Sequence, residues 1–316
     1  IYTTHAGPEL GNAFADVISG KYSPAGRLAQ TWYKSEYELA PIECYDIIEN
    51  DMTYLYYRGK PLYPFGYGLS YAKFEYSDFD VKENGDVISV SLDVTNVSET
   101  DSDEVVQIYF RMENPSVKRP LRQLVAFARE RIEGGRTRHF EFDIKKSELR
   151  FYDVSRERFA VEQGRYTFMA GASSEDIRLT KTIDVSGEII PPRELCKGVK
   201  AKNYDGKYGT KMKYSKKLEQ HYMLGGGLIY NNCVLGEADS IEIVCGSRVN
   251  TGKITVRYGG ETLCEAEVKP TVDVTEFETV TAQFDKAVLA GIDREKPAVF
   301  ELWMPEQIYI LGFRTY

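Results

Sequence analysis

His5 and Glu9 are the residues of this 316-residue chain whose types and placement suit contact with a substrate. They follow the short stretch "IYTT", read as the end of a strand, and open the segment "AGPELGNAFADVISG". In that segment Leu10, Ala13, Phe14, Val17 and Ile18 fall at i, i+3, i+4, i+7 and i+8 and share one helical face. In an open α/β sheet, ligands gather at the carboxyl ends of strands, near helix N-termini. A Glu in a first helical turn also has a purely local use, because it complements the helix dipole. The chain has 48 Asp and Glu in all. Nearly all the others sit in alternating strands or in turns, where solvation accounts for them.

Other chemistries find no pattern. The three His (His5, His139, His221) are scattered, and no metal cluster can be read from them. The five Cys (Cys44, Cys196, Cys233, Cys245, Cys264) are odd in number and widely spaced, which argues against a disulfide framework and against zinc. They read mostly as buried free thiols, and unpaired thiols lean towards a cytoplasmic rather than a secreted protein. "GYGLSYAK" lacks the glycine spacing and Lys-Ser/Thr ending of a phosphate loop. No G-x-S-x-G occurs. The net charge is -8 with no basic stripe, which excludes a nucleic-acid surface, and no apolar run reaches membrane-spanning length. No cofactor is implied. The chain begins at Ile1 without a leader pattern and reads as a piece of a longer polypeptide.

The elements that would position these residues change in character along the chain. Residues 1–40 are the α/β part: the strand end, the helix with Pro8 in its first turn and Gly20 as its stop, and a second strand in "RLAQTWY" (27–33). This fragment cannot bury its helical face alone, so it must pack on protein outside the chain. Residues 41–71 form an aromatic-rich connection ending in "YPFGYGLSY". There Tyr63, Phe65, Tyr67 and Tyr71 are interleaved with Pro64, Gly66 and Gly68, which suits neither helix nor strand.

Residues 72–187 alternate. Ile88, Val90, Leu92 and Val94 face one way, as do Val106, Ile108, Phe110 and Met112, and Phe140, Phe142 and Ile144, with His139 and Glu141 outside. Short strands with turn signals between them predict a β-sandwich. After the stiff "IIPPREL", residues 194–316 read as a second all-β domain. Its clearest strands are "KITVRY", "TLCEAEV", "VTAQF", "AVFELWM" and "YILGFRTY". The fold class is mainly β: two sandwiches preceded by a fragment of an α/β sandwich domain.

"GPELGNAFADVISGKYSPAGRLAQTWY", "TYLYYRGKPLYPFGYGLSYAKFEYSDF", "DEVVQIYFR", "RPLRQLVAF" and "GRYTFMAGASSEDIRL" together resemble the C-terminal part of glycoside hydrolase family 3, over roughly residues 1–186. The resemblance implies that residues 1–40 end the family's α/β sandwich domain and that residues 72–187 are its fibronectin type III-like domain. It implies a retaining, exo-acting β-glycosidase of β-glucosidase or β-xylosidase type. The two catalytic carboxylates are expected outside this chain, so no residue here is assigned a catalytic role. The partners implied are the remaining barrel and α/β domains and a glycoside or oligosaccharide substrate. The rings of "YPFGYGLSY" then serve either to hold domains together, with Gly66 and Gly68 letting backbones approach, or as a platform for sugar.

The last domain resembles carbohydrate-binding module family 6 in "VKAKNYDG", "GGGLIYNNCVLGEADSIEIVCGS" and "YILGFRTY". It departs from that family where opening acidic residues become Lys200 and Lys202, and where Gly227, Ile229, Tyr309 and Gly312 replace its usual sugar-gripping positions. No calcium is therefore expected. Tyr222, Tyr230, Trp303 and Tyr309 remain as sugar-stacking candidates, and core packing is the other use of such rings. The alternative to an enzyme part is a stand-alone carbohydrate-binding or oligomerisation protein made of two β-sandwiches.

Overall fold

The computed structural model describes residues 1–3, 7–42, 44–271 and 276–316. Two compact units form. The first comprises Ile1–Pro115, Arg119–Phe151 and Ala160–Glu188, and the second Ser116–Lys118, Tyr152–Phe159 and Ile189–Tyr316.

Two antiparallel sheets make the body of the first unit. Strand Val87–Asn96 lies between Phe74–Asn84 and Thr137–Lys145 in a three-stranded sheet. A four-stranded sheet runs in the order Gln123–Ile132, Ser102–Met112, Gly164–Gly171, Ile177–Val185. The alternation read from sequence has its physical counterpart: Ile88, Val90, Leu92 and Val94 are buried, and they pack in one core with Val106, Ile108, Phe110, Phe140 and Ile144. His139 stands outside, its Nδ1 on the Asp93 carboxylate of the neighbouring strand, and that hydrogen bond raises its pKa. Strand Ser102–Met112 is unlike the others because both of its faces are buried, including Val105, Gln107 and Tyr109.

The α/β reading of residues 1–40 is corrected in part. The helix forms as Leu10–Ile18 and stops at Gly20, which has φ +77°. Neither flanking strand forms among the described residues. Residues 1–3 carry no strand, and the stretch 27–33 contributes only an isolated bridge between Trp32 and Tyr63. A strand exists through its hydrogen-bonded neighbours, and for residues 27–33 the segment 62–67 is the neighbour at hand. It exchanges a few bonds (Trp32 N–H to Tyr63 O, Leu28 N–H to Tyr67 O, Gly66 N–H to Leu28 O) and then turns away.

In the second unit, ten strands are joined in one hydrogen-bonded sheet. Two long strands carry it: Gln220–Val234 and Ala298–Thr315. "AVFELWM" and "YILGFRTY", expected as separate strands, are the two halves of the second of these. Its first half pairs with Gly252–Tyr258 and its second with Ser240–Ser247. The pairing with Gln220–Val234 slips at Gly225 and Gly226, whose φ values of +62° and +73° place a bulge there. One core includes Leu228, Tyr230, Ile243, Val256, Phe300, Leu302 and Phe313.

The cysteines depart from the expectation of mostly buried thiols. Cys233 and Cys245 are buried, Cys264 is half-buried, and Cys44 and Cys196 are exposed. Burial pushes the thiols of Cys233 and Cys245 up to about 12, which keeps them protonated and unreactive near neutral pH. In a titration with a chromogenic thiol reagent, Cys44 and Cys196 react in the native protein, and Cys233 and Cys245 react only after unfolding. Prompt native reaction of all five would contradict this placement.

Candidate functional site

The N-terminal segment leaves several of its apolar residues outward, while Leu10, Phe14 and Val17 of the helix are half-buried. No residue of helix Leu10–Ile18 is fully buried, and Ile18 is 70% exposed. Tyr37, Ile42 and Tyr45 are 91%, 86% and 87% exposed. Glu9 is the residue preceding the helix. Its carboxylate does not cap the helix and accepts a hydrogen bond from the Asn12 side chain one turn on. His5 lies outside the described residues. Within the structure, then, Glu9 has a local partner.

The aromatic connection is built into the first unit. Phe65 stacks on Tyr54 with ring centroids 4.1 Å apart, and the Tyr54 ring meets Tyr109 edge-on. Leu124 N–H donates to the Tyr54 hydroxyl. Gly66, at φ +80°, lies against the Gln107 side-chain amide, whose Nε2 donates to Gly66 O and Ala172 O while Tyr109 Oη donates to its Oε1. These contacts explain why both faces of Ser102–Met112 are dry. Of the two uses considered for "YPFGYGLSY", packing accounts for Phe65 and Gly66. Tyr63 and Tyr71 stay 38% and 52% exposed, and the Tyr71 hydroxyl donates to Val17 O of the helix.

Beneath the connection lies a polar seam. Ser23, Ser70 and Ser102 hydroxyls form a closed ring of hydrogen bonds at 2.7–3.1 Å. Arg27 reaches the buried Glu104 at 3.3 Å, and Tyr76 donates to the other Glu104 oxygen at 2.9 Å. Burial, followed by the Glu104 charge, holds the Tyr76 phenol well above its ordinary pKa. The seam ties residues 23–27 to the sandwich, so the helix that precedes them is held in a defined place.

In the second unit, three of the four sugar-stacking candidates are corrected. Tyr230 is fully buried among Phe300 and Phe313, with its hydroxyl donating to Ala201 O. Tyr309 is fully buried, and Tyr222 is 7% exposed. They meet each other and Phe277 in a small cluster apart from the main core. A buried ring offers no face to a sugar. Trp303 alone remains half-buried on the outer side of its strand, and beside it lies a residue that the sequence reading did not select. Tyr208, 59% exposed, runs nearly parallel to the indole at 14°, with centroids 5.7 Å apart. Its strand, Gly206–Tyr208, is three residues long and shows no period from which to predict it. Lys200, where the resemblance placed acidic residues, binds both oxygens of Glu157 at 2.8 Å. Among the described residues, no group of three or more His, Cys, Asp or Glu is placed to hold a metal.

Comparison with known proteins agrees with the first unit. Residues 1–71 match the glycosyl hydrolase family 3 C-terminal domain, and residues 104–174 match the fibronectin type III-like domain. The thermostable beta-glucosidase B of Acetivibrio thermocellus is 35% identical over 200 residues, covering 58% of this chain and 26% of that protein. The xylan 1,4-beta-xylosidase of Xylanibacter ruminicola is 35% identical over 180 residues, covering 56% and 20%. Among solved structures, beta-glucosidase 3B from Thermotoga neapolitana in complex with alpha-D-glucose aligns with a TM-score of 0.54 at 30% identity, over 59% of this chain and 28% of that one. The chain thus spans about a quarter of the length of the relatives it matches.

Proposed function

We propose that this chain, whose residues 1–71 match the glycosyl hydrolase family 3 C-terminal domain and residues 104–174 the fibronectin type III-like domain, is the non-catalytic C-terminal part of a retaining, exo-acting family 3 β-glycosidase that hydrolyses β-glucosides or β-xylosides. The observation that carries this reading is the exposure of Ile18, Tyr37, Ile42 and Tyr45, in a segment that matches a domain of much longer enzymes. Exposed apolar area on this scale serves contact with other protein, and here the partner is the rest of the α/β domain. Retaining hydrolysis needs two carboxyl groups about 5–5.5 Å apart across the scissile bond, and this reading assigns them to protein outside this chain. His5, outside the described residues, and Glu9 are assigned a substrate-side role in the completed domain. The second unit is a carbohydrate-contacting appendage. Five free cysteines support a reducing compartment such as the cytoplasm.

The test is an assay of the complete polypeptide on aryl β-glucosides and β-xylosides, with the anomer of the first product read by NMR. Hydrolysis with retention is expected. Absence of hydrolysis on both substrates, or inversion, overturns the reading. In the same protein, Glu9→Ala is expected to lower kcat/KM, and an unchanged value removes Glu9 from the substrate side.

A further inference from the structure

On the solvent side of the second unit's sheet, neighbouring strands bring Tyr208, Gly227 and Trp303 into one row, with Thr255 opposite Trp303 on the next strand. Two residues along, on the same face, Glu301 sits opposite Arg257, at 3.5 Å between carboxylate and guanidinium. Gly227 is what lets the row close. Any Cβ there would meet the indole at 2.7 Å, so the glycine leaves room for Trp303 to lie over the neighbouring strand and reach Tyr208. A near-parallel pair with centroids 5.7 Å apart is laterally displaced, not eclipsed. Tyr208 is 59% exposed and Trp303 half-buried, so both keep ring surface uncovered. The covered Nε1–H of Trp303 and Nε–H of Arg257 have no acceptor among the described residues.

We propose that this strip is an oligosaccharide subsite for a β-linked gluco- or xylo-oligosaccharide. That ligand class rests on the functional reading above. A pyranose with equatorial hydroxyls has a flat face of C–H bonds that stacks on an exposed ring, and hydroxyls at its rim that bond to charged groups. Tyr208 and Trp303 supply the ring surface, Glu301 accepts hydroxyl hydrogens, and Arg257, whose Nη2 donates to Gly260 O and whose Nη1 faces Glu301 at 3.5 Å, offers its remaining N–H to a hydroxyl oxygen. The two rings lie side by side on the strands flanking that of Gly227, with Tyr208 59% exposed, which suits a run of linked sugars better than one captured monosaccharide. A single-stranded nucleic acid also stacks on such rings, but it requires a positive groove. Here the one Arg is paired with a carboxylate, in a chain of net charge -8.

The chain has two Trp, Trp32 and Trp303. In a Trp32→Phe background, Trp303 fluorescence reports the strip directly. Titration of the 316-residue chain with cellohexaose and with xylohexaose should give saturable change for at least one, with Kd of about 1 mM or below. Tyr208→Ala should weaken binding about tenfold or more, because the stacked ring face is lost. Tyr214→Ala, which removes another exposed tyrosine of this unit, should leave it unchanged. No saturable change with either sugar, or binding untouched by Tyr208→Ala, overturns the subsite. Hydrolysis by the complete polypeptide separates the two readings. Hydrolysis without binding here removes the subsite alone, and binding here without hydrolysis removes the enzymatic reading alone.

Discussion

Glu104→Ala lowers the unfolding free energy of the first unit by about 3–5 kcal/mol, the usual result of breaking a buried ion pair from one side. The Glu104 side chain is 2% exposed and that of Arg27 10%. Removing the carboxylate leaves the guanidinium covered and uncompensated, and its Nε already lacks an acceptor among the described residues. The Tyr76 hydroxyl also loses its acceptor, although its ring keeps the Arg178 guanidinium 4.6 Å from its centroid. Glu104→Gln retains an oxygen for Tyr76 but no charge for Arg27, so it costs less than Glu104→Ala and more than nothing. Urea unfolding followed through Trp32, in a Trp303→Phe background, isolates the first unit. A midpoint shift at constant slope measures the pair. If Glu104→Ala costs under about 1 kcal/mol, water reaches the seam and the pair does not hold residues 23–27 to the sandwich.

The parts of the fold legible in the sequence are those where one strand's own alternation decides its burial. Ile88 to Val94 sit inward because every second residue is apolar and the sheet has one wet face. The same rule, applied to Leu228 and Tyr230, places Tyr230 inside, so its burial was open to prediction. Tyr309 was not. Between Met304 and Ile308 the long strand slips against its neighbour, and Ile308, Tyr309 and Ile310 are all buried, so no parity carries through. Gln107 and Tyr109 look like the wet face of their strand until residues 54–66 cover them, and nothing within the strand announces that cover. Tyr208 illustrates the same limit in reverse. What makes it notable is a glycine and an indole on two other strands, and only the register brings the three together. The strand expected over residues 27–33 failed because a strand needs a neighbour as much as it needs a pattern.

Gly66→Ala destabilises the first unit by about 3–5 kcal/mol, and Gly85→Ala by only about 1 kcal/mol, although both glycines have positive φ: +80° and +65°. At Gly85, in the turn between the first two strands, an added Cβ meets nothing within 4 Å, so the substitution costs only the left-handed backbone. At Gly66 the same atom strikes the Gln107 amide. That amide is buried and fully engaged, donating to Gly66 O at 3.1 Å and to Ala172 O at 2.6 Å and accepting from Tyr109 at 2.6 Å. Any rotation that relieves the clash leaves buried polar groups without partners, at about 1–3 kcal/mol each. The difference between the two variants, measured by the Trp32 unfolding curve, therefore reads the lock between Gln107 and the aromatic connection, free of the dihedral penalty they share. Equal losses would mean that Gln107 swings aside without cost and that the rings around Tyr54 and Phe65 hold the connection by themselves. The expected inequality makes Gly66 the residue through which a flexible-looking, aromatic stretch becomes a rigid mount for the N-terminal segment.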